Sequence, residues 1–291
     1  MFIQPNKLCR IFIPKVLISS PPNDSTKHHP LTPIELTMKI PIKSNSNLQM
    51  TNNQQTVWGK DATFIRDYET RVEPFTASFV EELMHPFLSE APPLPSEMPT
   101  LLDVGCGTGA VSLLAQQKGY RVTSTDVSPA MVSRCRERRG HDSSSSSTPD
   151  ARLTNDEVSE RCCVVADGEN LPPSWSDKFE HAVGNFSIIF FPDPLRGLKE
   201  IRRCLRPGGR VAVSAWGDSS ETPAFRIFPD ATAAVAPEQV ARSRPKRIVG
   251  GVSSLTTLME EAGFGQVRVL GPVTRLLEVS SPAAYFDRMA L

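Results

Sequence analysis

The feature that most constrains the fold is a short apolar run that breaks into glycines. Residues 101–109 read Leu-Leu-Asp-Val-Gly-Cys-Gly-Thr-Gly, so one carboxylate, Asp103, lies inside the apolar run. Because glycine tolerates unusual dihedrals and lets a ligand approach the backbone, the pattern predicts a strand followed by a ligand-binding loop. Residues 110–119 then predict a helix, and residues 120–126 predict a second strand that ends in an acid, Asp126. This order is typical of the opening of a nucleotide-type α/β domain.

The alternation of strands and helices continues along the chain. The elements predicted next are a helix from Ser128 to about Arg139, strands over 161–166 and 179–186, a helix opened by Asp193, a sharp turn over 206–209, a strand over 210–216, a helix over 253–262 and a last strand over 266–273. Regular alternation indicates a parallel sheet covered on both faces, and such sheets bind ligands at the carboxyl ends of their strands. Asp126, Asp167 and Asn185 each end or follow a strand, so we expect them at one rim with the glycine loop.

Composition excludes several classes of partner. Of 291 residues, 39% are apolar and 22% are charged, and the formal net charge is +0, so we expect a soluble globular protein without a nucleic-acid partner. No segment approaches the ~18 consecutive apolar residues of a membrane span. The six cysteines form no C-x-x-C pair and the histidines show no zinc spacing, so no metal site is predicted and a reducing compartment is favoured.

The N-terminal segment differs from the rest of the chain. Residues 1–60 hold seven basic and two acidic side chains and are rich in Ser, Asn, Pro and Thr, without sustained periodicity. We therefore predict a mostly disordered, basic segment over residues 1–55. The first twenty residues contain three basic residues and no acid, which is compatible with a mitochondrial presequence, but Pro5 and Pro14 would interrupt its helix. The cytoplasm is the primary expectation and the mitochondrion the alternative.

Four separate stretches together resemble one family. They are Leu-Leu-Asp-Val-Gly-Cys-Gly-Thr-Gly-Ala over 101–110, Thr-Asp-Val-Ser-Pro-Ala-Met over 125–131, Ala-Asp-Gly-Glu-Asn-Leu-Pro over 166–172 and Leu-Arg-Pro-Gly-Gly-Arg over 205–210. In this combination the chain resembles the class I S-adenosylmethionine-dependent methyltransferases, in particular the small-molecule branch similar to the ubiquinone and menaquinone biosynthesis enzymes. The resemblance implies transfer of a methyl group from S-adenosylmethionine to a small organic acceptor by in-line displacement.

The resemblance also implies an architecture. It is an α/β, Rossmann-like three-layer sandwich with a mostly parallel seven-stranded sheet and an antiparallel hairpin at the sheet edge. The methyltransferase domain would cover residues 56–291. Its cofactor core would extend over about 98–217, and a lid with the C-terminal strands would extend over 218–291. No oligomeric state is predicted.

The same resemblance assigns ten residues to the cofactor site. Gly105 and Gly107 would pass beneath the methionine part, and Asp103 would organise that loop or meet the cofactor's amino group through water. Asp126 would accept hydrogen bonds from both ribose hydroxyls, because two acceptor oxygens suit a vicinal diol. Tyr68 would contact the cofactor from a helix that folds over it.

The other five residues are assigned to the adenine and the sulfonium. Val127 and Met131 would flank the adenine ring. Asp167 would accept from the exocyclic amine of adenine, and Gly168 would donate its backbone N–H to the ring. Asn185 would end the fourth strand beside the reacting sulfonium.

Two other functions stay open on sequence. An NAD(P)-dependent dehydrogenase would also carry these glycines, with an acid about 20 residues later, although Asp103 inside the strand and the turn at 207–209 count against it. A non-catalytic S-adenosylmethionine-binding protein would keep the cofactor site without turnover. No catalytic base is identified, because His181 has a suitable side chain but its position within a strand favours a core histidine.

Overall fold

Strands and helices alternate along the described part of the chain. The computed structural model describes residues 9–13, 15–20, 62–89, 98–140, 163–217, 230, 233–234, 252–270 and 273–277. Its strands are β1 (Cys9–Ile13), β2 (Lys15–Ser20), β3 (Thr100–Val104), β4 (Arg121–Asp126), β5 (Cys163–Val165), β6 (Phe179–Asn185), β7 (Leu205–Ala215), β8 (Gly265–Leu270) and β9 (Val273–Leu277). Its α-helices are α1 (Ala62–Asp67), α2 (Glu73–Ala77), α3 (Val80–Ser89), α4 (Ala110–Gln117), α5 (Pro129–Arg138), α6 (Pro194–Cys204) and α7 (Val252–Glu261). A π-helical turn, Tyr68–Val72, joins α1 to α2.

One sheet contains seven of these strands, in the order β5-β4-β3-β6-β7-β2-β8. The strands from β5 to β7 run parallel to their neighbours, whereas β2 lies antiparallel to both β7 and β8. The strands β1 and β9 pair antiparallel in a small second sheet. The predicted α/β class and the mostly parallel seven-stranded sheet are therefore confirmed.

Helices cover both faces of the large sheet. Successive side chains of a strand point to opposite faces, so the fully buried residues of β3 divide between two core clusters. Leu102 and Val104 pack in the cluster that includes α6 and α7, while Leu101 packs in the cluster that includes α3 and α4. This arrangement is the predicted three-layer sandwich, and it brings the carboxyl ends of the parallel strands to one rim.

The N-terminal segment contributes structure that its composition does not predict. Residues 9–13 and 15–20 are strands, so the expectation of disorder is wrong for these two stretches. The physical reason is the apolar, largely β-branched residues on either side of Pro14 and Lys15, at 11–13 and 16–18, which favour a strand wherever a partner is available. The antiparallel strand near the sheet edge is therefore β2, a distant part of the chain, and the predicted edge hairpin is corrected accordingly.

The segment 206–209 also differs from the predicted turn. Strand β7 begins directly after α6, and its register with β6 shifts between Leu205 and Arg210. The extra residues form a bulge in which Gly208 adopts φ +78°. These glycines therefore bend a strand rather than separate a helix from the next strand.

Two helices at the rim begin at the predicted caps. The hydroxyl of Ser128 accepts a hydrogen bond from the backbone N–H of Met131 at 3.2 Å, at the start of α5. The carboxylate of Asp193 accepts from the N–H of Arg196 at 3.0 Å, at the start of α6. Both caps fix helix starts on the side of the sheet where the strands end.

Some predictions lie outside the described residues. They are the disorder of the remainder of residues 1–55 and most of the lid over 218–291. Among the described residues, no helix combines the length and the apolar character that crossing a membrane requires.

The position of β2 can be tested at Leu17. Proline there removes a backbone N–H from a strand that is paired on both sides, so Leu17→Pro should lower the free energy of unfolding by about 1–3 kcal/mol. Leu17→Val keeps the backbone N–H and a side chain that favours strands, so it should change the free energy of unfolding by less than about 1 kcal/mol. Urea unfolding followed by circular dichroism measures both. An unchanged midpoint in Leu17→Pro would show that β2 does not belong to the sheet.

Candidate active site

The glycine loop between β3 and α4 is held against the end of β4. The backbone N–H groups of Gly105 and Cys106 both donate to the carbonyl of Thr125, each at 2.8 Å. Gly105 adopts φ +72°, and a Cβ at this position would collide with the side chain of Ser187. Ser187 is itself fixed, because its hydroxyl donates to the carbonyl of Val104 at 2.6 Å. The loop can therefore lie this close to its neighbours only with glycine at position 105.

Asp126, at the carboxyl end of β4, holds the same loop with its side chain. Its Oδ2 accepts from the N–H of Gly107 at 2.9 Å, and its Oδ1 accepts from the N–H of Ser128 at 2.9 Å. Burial raises the pKa of Asp126 above its ordinary value, and the N–H donors oppose that increase. The two oxygens of a carboxylate offer about four acceptor positions, so Asp126 keeps acceptor capacity for a hydroxyl in the cavity.

Asp103 places a second carboxylate beneath the loop. The residue is 1% exposed, and its Oδ2 accepts from the hydroxyl of Ser112 at 2.6 Å. Its Oδ1 has no hydrogen-bond partner within the described part of the chain. Burial raises the pKa of Asp103 to about 6. Asp103 is also one of the residues that line the cavity, so this unpartnered acceptor lies next to the space in which a ligand would bind.

The loop after β5 forms another side of the cavity. The carboxylate of Asp167 accepts from the N–H of Glu169 at 2.9 Å, which fixes the turn. Gly168 is in close contact with the ring of Phe191, and a Cβ there would collide with it. The same ring lies equally close to Gly197 of α6. The two glycines therefore make room for an aromatic ring that lines the cavity.

The covering helix, formed by α1, the π-helical turn and α2, lies over the glycine loop. Tyr68 belongs to the π-helical turn, and its hydroxyl is 3.3 Å from the position that a Cβ on Gly107 would occupy. Desolvation raises the pKa of Tyr68 to about 12, so the phenol is neutral at physiological pH. Isolated π-helical turns occur frequently at functional sites. The predicted helix before the core is present, and its tyrosine lines the cavity.

Ion pairs fasten the covering helix to α5. Arg134 Nε lies 2.7 Å from Glu69 Oε1, and Arg138 Nη1 lies 2.5 Å from Glu73 Oε1. Arg138 also donates to the carbonyl of Thr108 in the glycine loop at 3.1 Å. The side chain of Glu73 is only 10% exposed, against 18% for Glu69, so the pair with Arg138 is the more shielded from water.

The end of β6 forms the far wall of the cavity. Asn185 Nδ2 donates to the carbonyl of Thr76 in the covering helix at 3.2 Å, and its Oδ1 accepts from the hydroxyl of Ser214 at 2.8 Å. Phe186 adopts φ +56°, an unfavourable conformation for an aromatic residue, and its ring stacks on Trp216 with centroids 4.0 Å apart. Asn185 thus joins the covering helix to the sheet, beside an aromatic surface.

One cavity brings all ten predicted site residues together. They are Tyr68, Asp103, Gly105, Gly107, Asp126, Val127, Met131, Asp167, Gly168 and Asn185. Thr76, Phe191 and Trp216 line it as well, although the sequence interpretation did not assign them to the site. Trp216 directly follows β7, the fifth parallel strand, and this position in the sequence could have predicted its place at the rim. Thr76 and Phe191 reach the cavity only through tertiary packing.

His181 lies away from the cavity. Its ring stacks on Phe87 with centroids 4.7 Å apart and meets the ring of Tyr120 edge-on. Desolvation lowers the pKa of His181 to about 4, so the imidazole is neutral. The position agrees with the expectation that His181 packs against neighbouring side chains.

Comparison with known families identifies the part of the chain that carries this site. A family model described as "Methyltransferase domain" matches residues 102–213. Residues 102–213 are similar to a methyltransferase domain. The matched region contains the glycine loop, Asp126, Asp167 and Asn185, and the match supports the resemblance to class I S-adenosylmethionine-dependent methyltransferases. Its family implies S-adenosylmethionine as the methyl donor, while the quinone-biosynthesis branch stays a prediction.

Several proteins whose names describe methyltransferases are similar to this chain. The chain is similar to a nocamycin O-methyltransferase of Saccharothrix syringae, with 27% identity over 63% of this chain and 64% of the relative. It is also similar to a sterol 4-C-methyltransferase of Caenorhabditis elegans, with 25% identity over 59% of this chain and 48% of the relative. A solved S-adenosylmethionine-dependent methyltransferase from Thermotoga maritima is 20% identical over 70% of this chain and 79% of its own, with a TM-score of 0.45. The matches to the curated relatives named here span between about half and two thirds of their length.

The attachment of the covering helix can be tested at two arginines. Arg138→Gln leaves the shielded carboxylate of Glu73 without its cation, so it should lower the free energy of unfolding by about 2–3 kcal/mol. Arg134→Gln breaks the more exposed pair and is the matched control, with an expected loss below about 1 kcal/mol. Chemical unfolding at low salt measures both. Equal, small losses would contradict the docking of the covering helix on α5.

Proposed function

We propose that this chain is an S-adenosylmethionine-dependent methyltransferase that acts on a small organic acceptor. The observation that carries the proposal is the buried, unpartnered Oδ1 of Asp103, at the same cavity as the glycine loop and Asp126. An unpaired buried acceptor costs free energy, so a cationic donor that reaches this oxygen stabilises the site. The α-ammonium group of S-adenosylmethionine has that chemistry.

The other cavity residues fit the remainder of the cofactor. The two carboxylate oxygens of Asp126 suit the vicinal ribose hydroxyls. Val127 and Met131 provide apolar contacts for the adenine ring, and Asp167 with the N–H of Gly168 provides its polar contacts. These assignments follow from the positions of the residues around the cavity and from the family resemblance.

The chain's own residues need to position the acceptor and exclude water. S-adenosylmethionine supplies a methyl group that is already activated on a sulfonium, so proximity and in-line orientation account for most of the catalysis. Phe186 and Trp216 present an aromatic surface beside Asn185, and Tyr68 in the covering helix shields the opposite side. We assign no catalytic base, since an acceptor that ionises readily requires none.

The aromatic wall favours an apolar or aromatic acceptor. Stacked rings offer a flat surface without hydrogen-bonding groups apart from the indole N–H of Trp216. The names of the relatives, which include a sterol and a nocamycin methyltransferase, support small organic acceptors of this kind. A quinol or a phenol, as in the branch that the sequence resembles, fits both arguments.

Cofactor binding can be tested by isothermal titration calorimetry with S-adenosylmethionine. Asp126→Asn replaces one acceptor oxygen by a donor, so we expect the affinity to fall by about tenfold or more. Glu260→Gln changes an exposed carboxylate of α7 and should leave the affinity unchanged. Absence of heat with the unaltered chain, or equal affinity in Asp126→Asn, would contradict the site. Tight binding of NAD(P) in its place would favour the dehydrogenase.

Methyl transfer can be tested with a labelled methyl donor and a panel of quinols, phenols and small acids. We expect transfer to at least one apolar acceptor. Trp216→Ala should lower kcat/KM for that acceptor by about tenfold, since stacking contributes about 1 kcal/mol or more, while the affinity for S-adenosylmethionine changes little. Trp216→Phe keeps a ring and should retain most of the activity. Tight cofactor binding without transfer to any acceptor would favour the non-catalytic alternative.

A further inference from the structure

A chain of hydrogen bonds runs from the cavity into the protein interior. The hydroxyl of Ser112 donates to Asp103 Oδ2 at 2.6 Å. The hydroxyl oxygens of Ser112 and Ser124 lie 2.6 Å apart, and Arg139 Nη1 donates to Ser124 Oγ at 2.9 Å. The four side chains come from α4, β3, β4 and the residue after α5, so they join the elements beneath the glycine loop.

The donor inventory fixes the direction of every bond in this chain. A guanidinium can only donate, and an ionised carboxylate can only accept. The single proton of Ser112 is used toward Asp103, so Ser124 must donate its own proton to Ser112 and accept from Arg139. All three bonds therefore point from the cation to the carboxylate, an order that favours the ionised form of Asp103.

Arg139 is a buried cation that is connected to a carboxylate, that of Asp103, only through the hydroxyls of Ser124 and Ser112. The residue is 7% exposed, and it forms no ion pair with a carboxylate within the described residues. Its remaining donors reach neutral acceptors, the carbonyl of Val122 at 2.9 Å, Gln116 Oε1 at 3.2 Å and Cys163 Sγ at 3.4 Å. A buried charge without compensation is costly, so Arg139 and Asp103 stabilise each other through the two hydroxyls.

We propose that Arg139 is a positioning residue of the cofactor site, which keeps Asp103 ionised through Ser124 and Ser112 so that its free Oδ1 can bind the cofactor's ammonium group. This inference rests on the proposed function and deepens it, because it names the group that sets the charge of the site. Neither Arg139 nor Ser124 lines the cavity, so their effect on the ligand passes through Asp103.

The other groups that face Asp103 are few within the described residues. Asp126 of β4 opposes its ionisation, as a like charge does, while Arg139 favours it. The thiols of Cys106 in the glycine loop and Cys135 in α5 also face the carboxylate. Their mutual hydrogen bond raises the pKa of Cys135 and lowers that of Cys106, burial raises the pKa of both, and both pKa values lie above the ordinary value, so both thiols are neutral. Arg139 is therefore the cation that acts on Asp103 among these groups.

The sign of the pH dependence follows from these charges. The pKa of Asp103 lies at about 6, above its ordinary value, so the carboxylate becomes protonated and loses its negative charge as the pH falls through 6. Affinity for a cationic group should be full above that pH and should decline below it. Removing the cation or a hydroxyl of the hydrogen-bond chain should move this decline to higher pH.

Carbon-13 NMR of aspartate-labelled protein tests the chain of hydrogen bonds without any ligand. The Asp103 carboxyl resonance is assigned by its loss in Asp103→Asn. We expect its titration midpoint to rise by about one pH unit in Arg139→Met and in Ser124→Ala, and to return toward the original value in Ser124→Thr, which keeps a hydroxyl. Ser124→Ala removes one oxygen only, so it gives a folded variant if Arg139→Met does not fold. Unchanged midpoints in folded variants would overturn the proposal.

Calorimetric titration with S-adenosylmethionine from pH 5 to 9 connects this charge to the cofactor. In Ser124→Ala and Arg139→Met a midpoint raised by about one pH unit should weaken the affinity by about twofold near pH 7 and by about tenfold near pH 5, and the affinity near pH 9 should approach that of the unaltered chain. A merely structural role would weaken binding equally at every pH and would overturn the proposal. If the unaltered chain does not bind the cofactor while the NMR midpoints move as expected, the proposed function fails and the charge coupling stands. If the unaltered chain binds and the midpoints do not move, the inference about Arg139 fails alone.

Discussion

The site depends on the attachment of the glycine loop to the end of β4. One carbonyl, that of Thr125, accepts two loop N–H groups, and the neighbouring carboxylate of Asp126 accepts a third from Gly107. These bonds give the loop its shape before any ligand binds. They also bring Gly105 against Ser187 so closely that no side chain fits, which ties the loop to the end of β3 and to the turn after β6.

The attachment of the glycine loop also gives different surroundings to two carboxylates, those of Asp126 and Asp103. Asp126 is satisfied by backbone donors and offers spare lone pairs, as a diol requires. Asp103 is buried more deeply, and its Oδ2 accepts a hydrogen bond from Ser112. Its Oδ1 has no partner among the described residues, so it can accept from a cationic donor. A ligand with an ammonium group and a vicinal diol therefore matches the pair, and the similarity of residues 102–213 to a methyltransferase domain supports this interpretation.

The parts of the site that the sequence predicts are those encoded locally. The glycine loop, Asp126 and Asp167 follow strands directly, so the end of each strand determines their position at the rim. Arg139 gave no comparable signal, because its role depends on a contact with Ser124 that only the packing of α5 against β4 creates. The strand β2 was missed for a similar reason, since a polar, basic composition obscured an apolar run whose partner lies about 200 residues away.

A crystal structure with S-adenosylhomocysteine, the demethylated product, tests the central claim most directly. The account predicts the ammonium group within hydrogen-bonding distance of Asp103 Oδ1, both ribose hydroxyls on Asp126, and the sulfur facing Asn185 and the aromatic rings of Phe186 and Trp216. A product molecule bound elsewhere, or one whose ammonium group leaves Asp103 Oδ1 unpartnered, would contradict it.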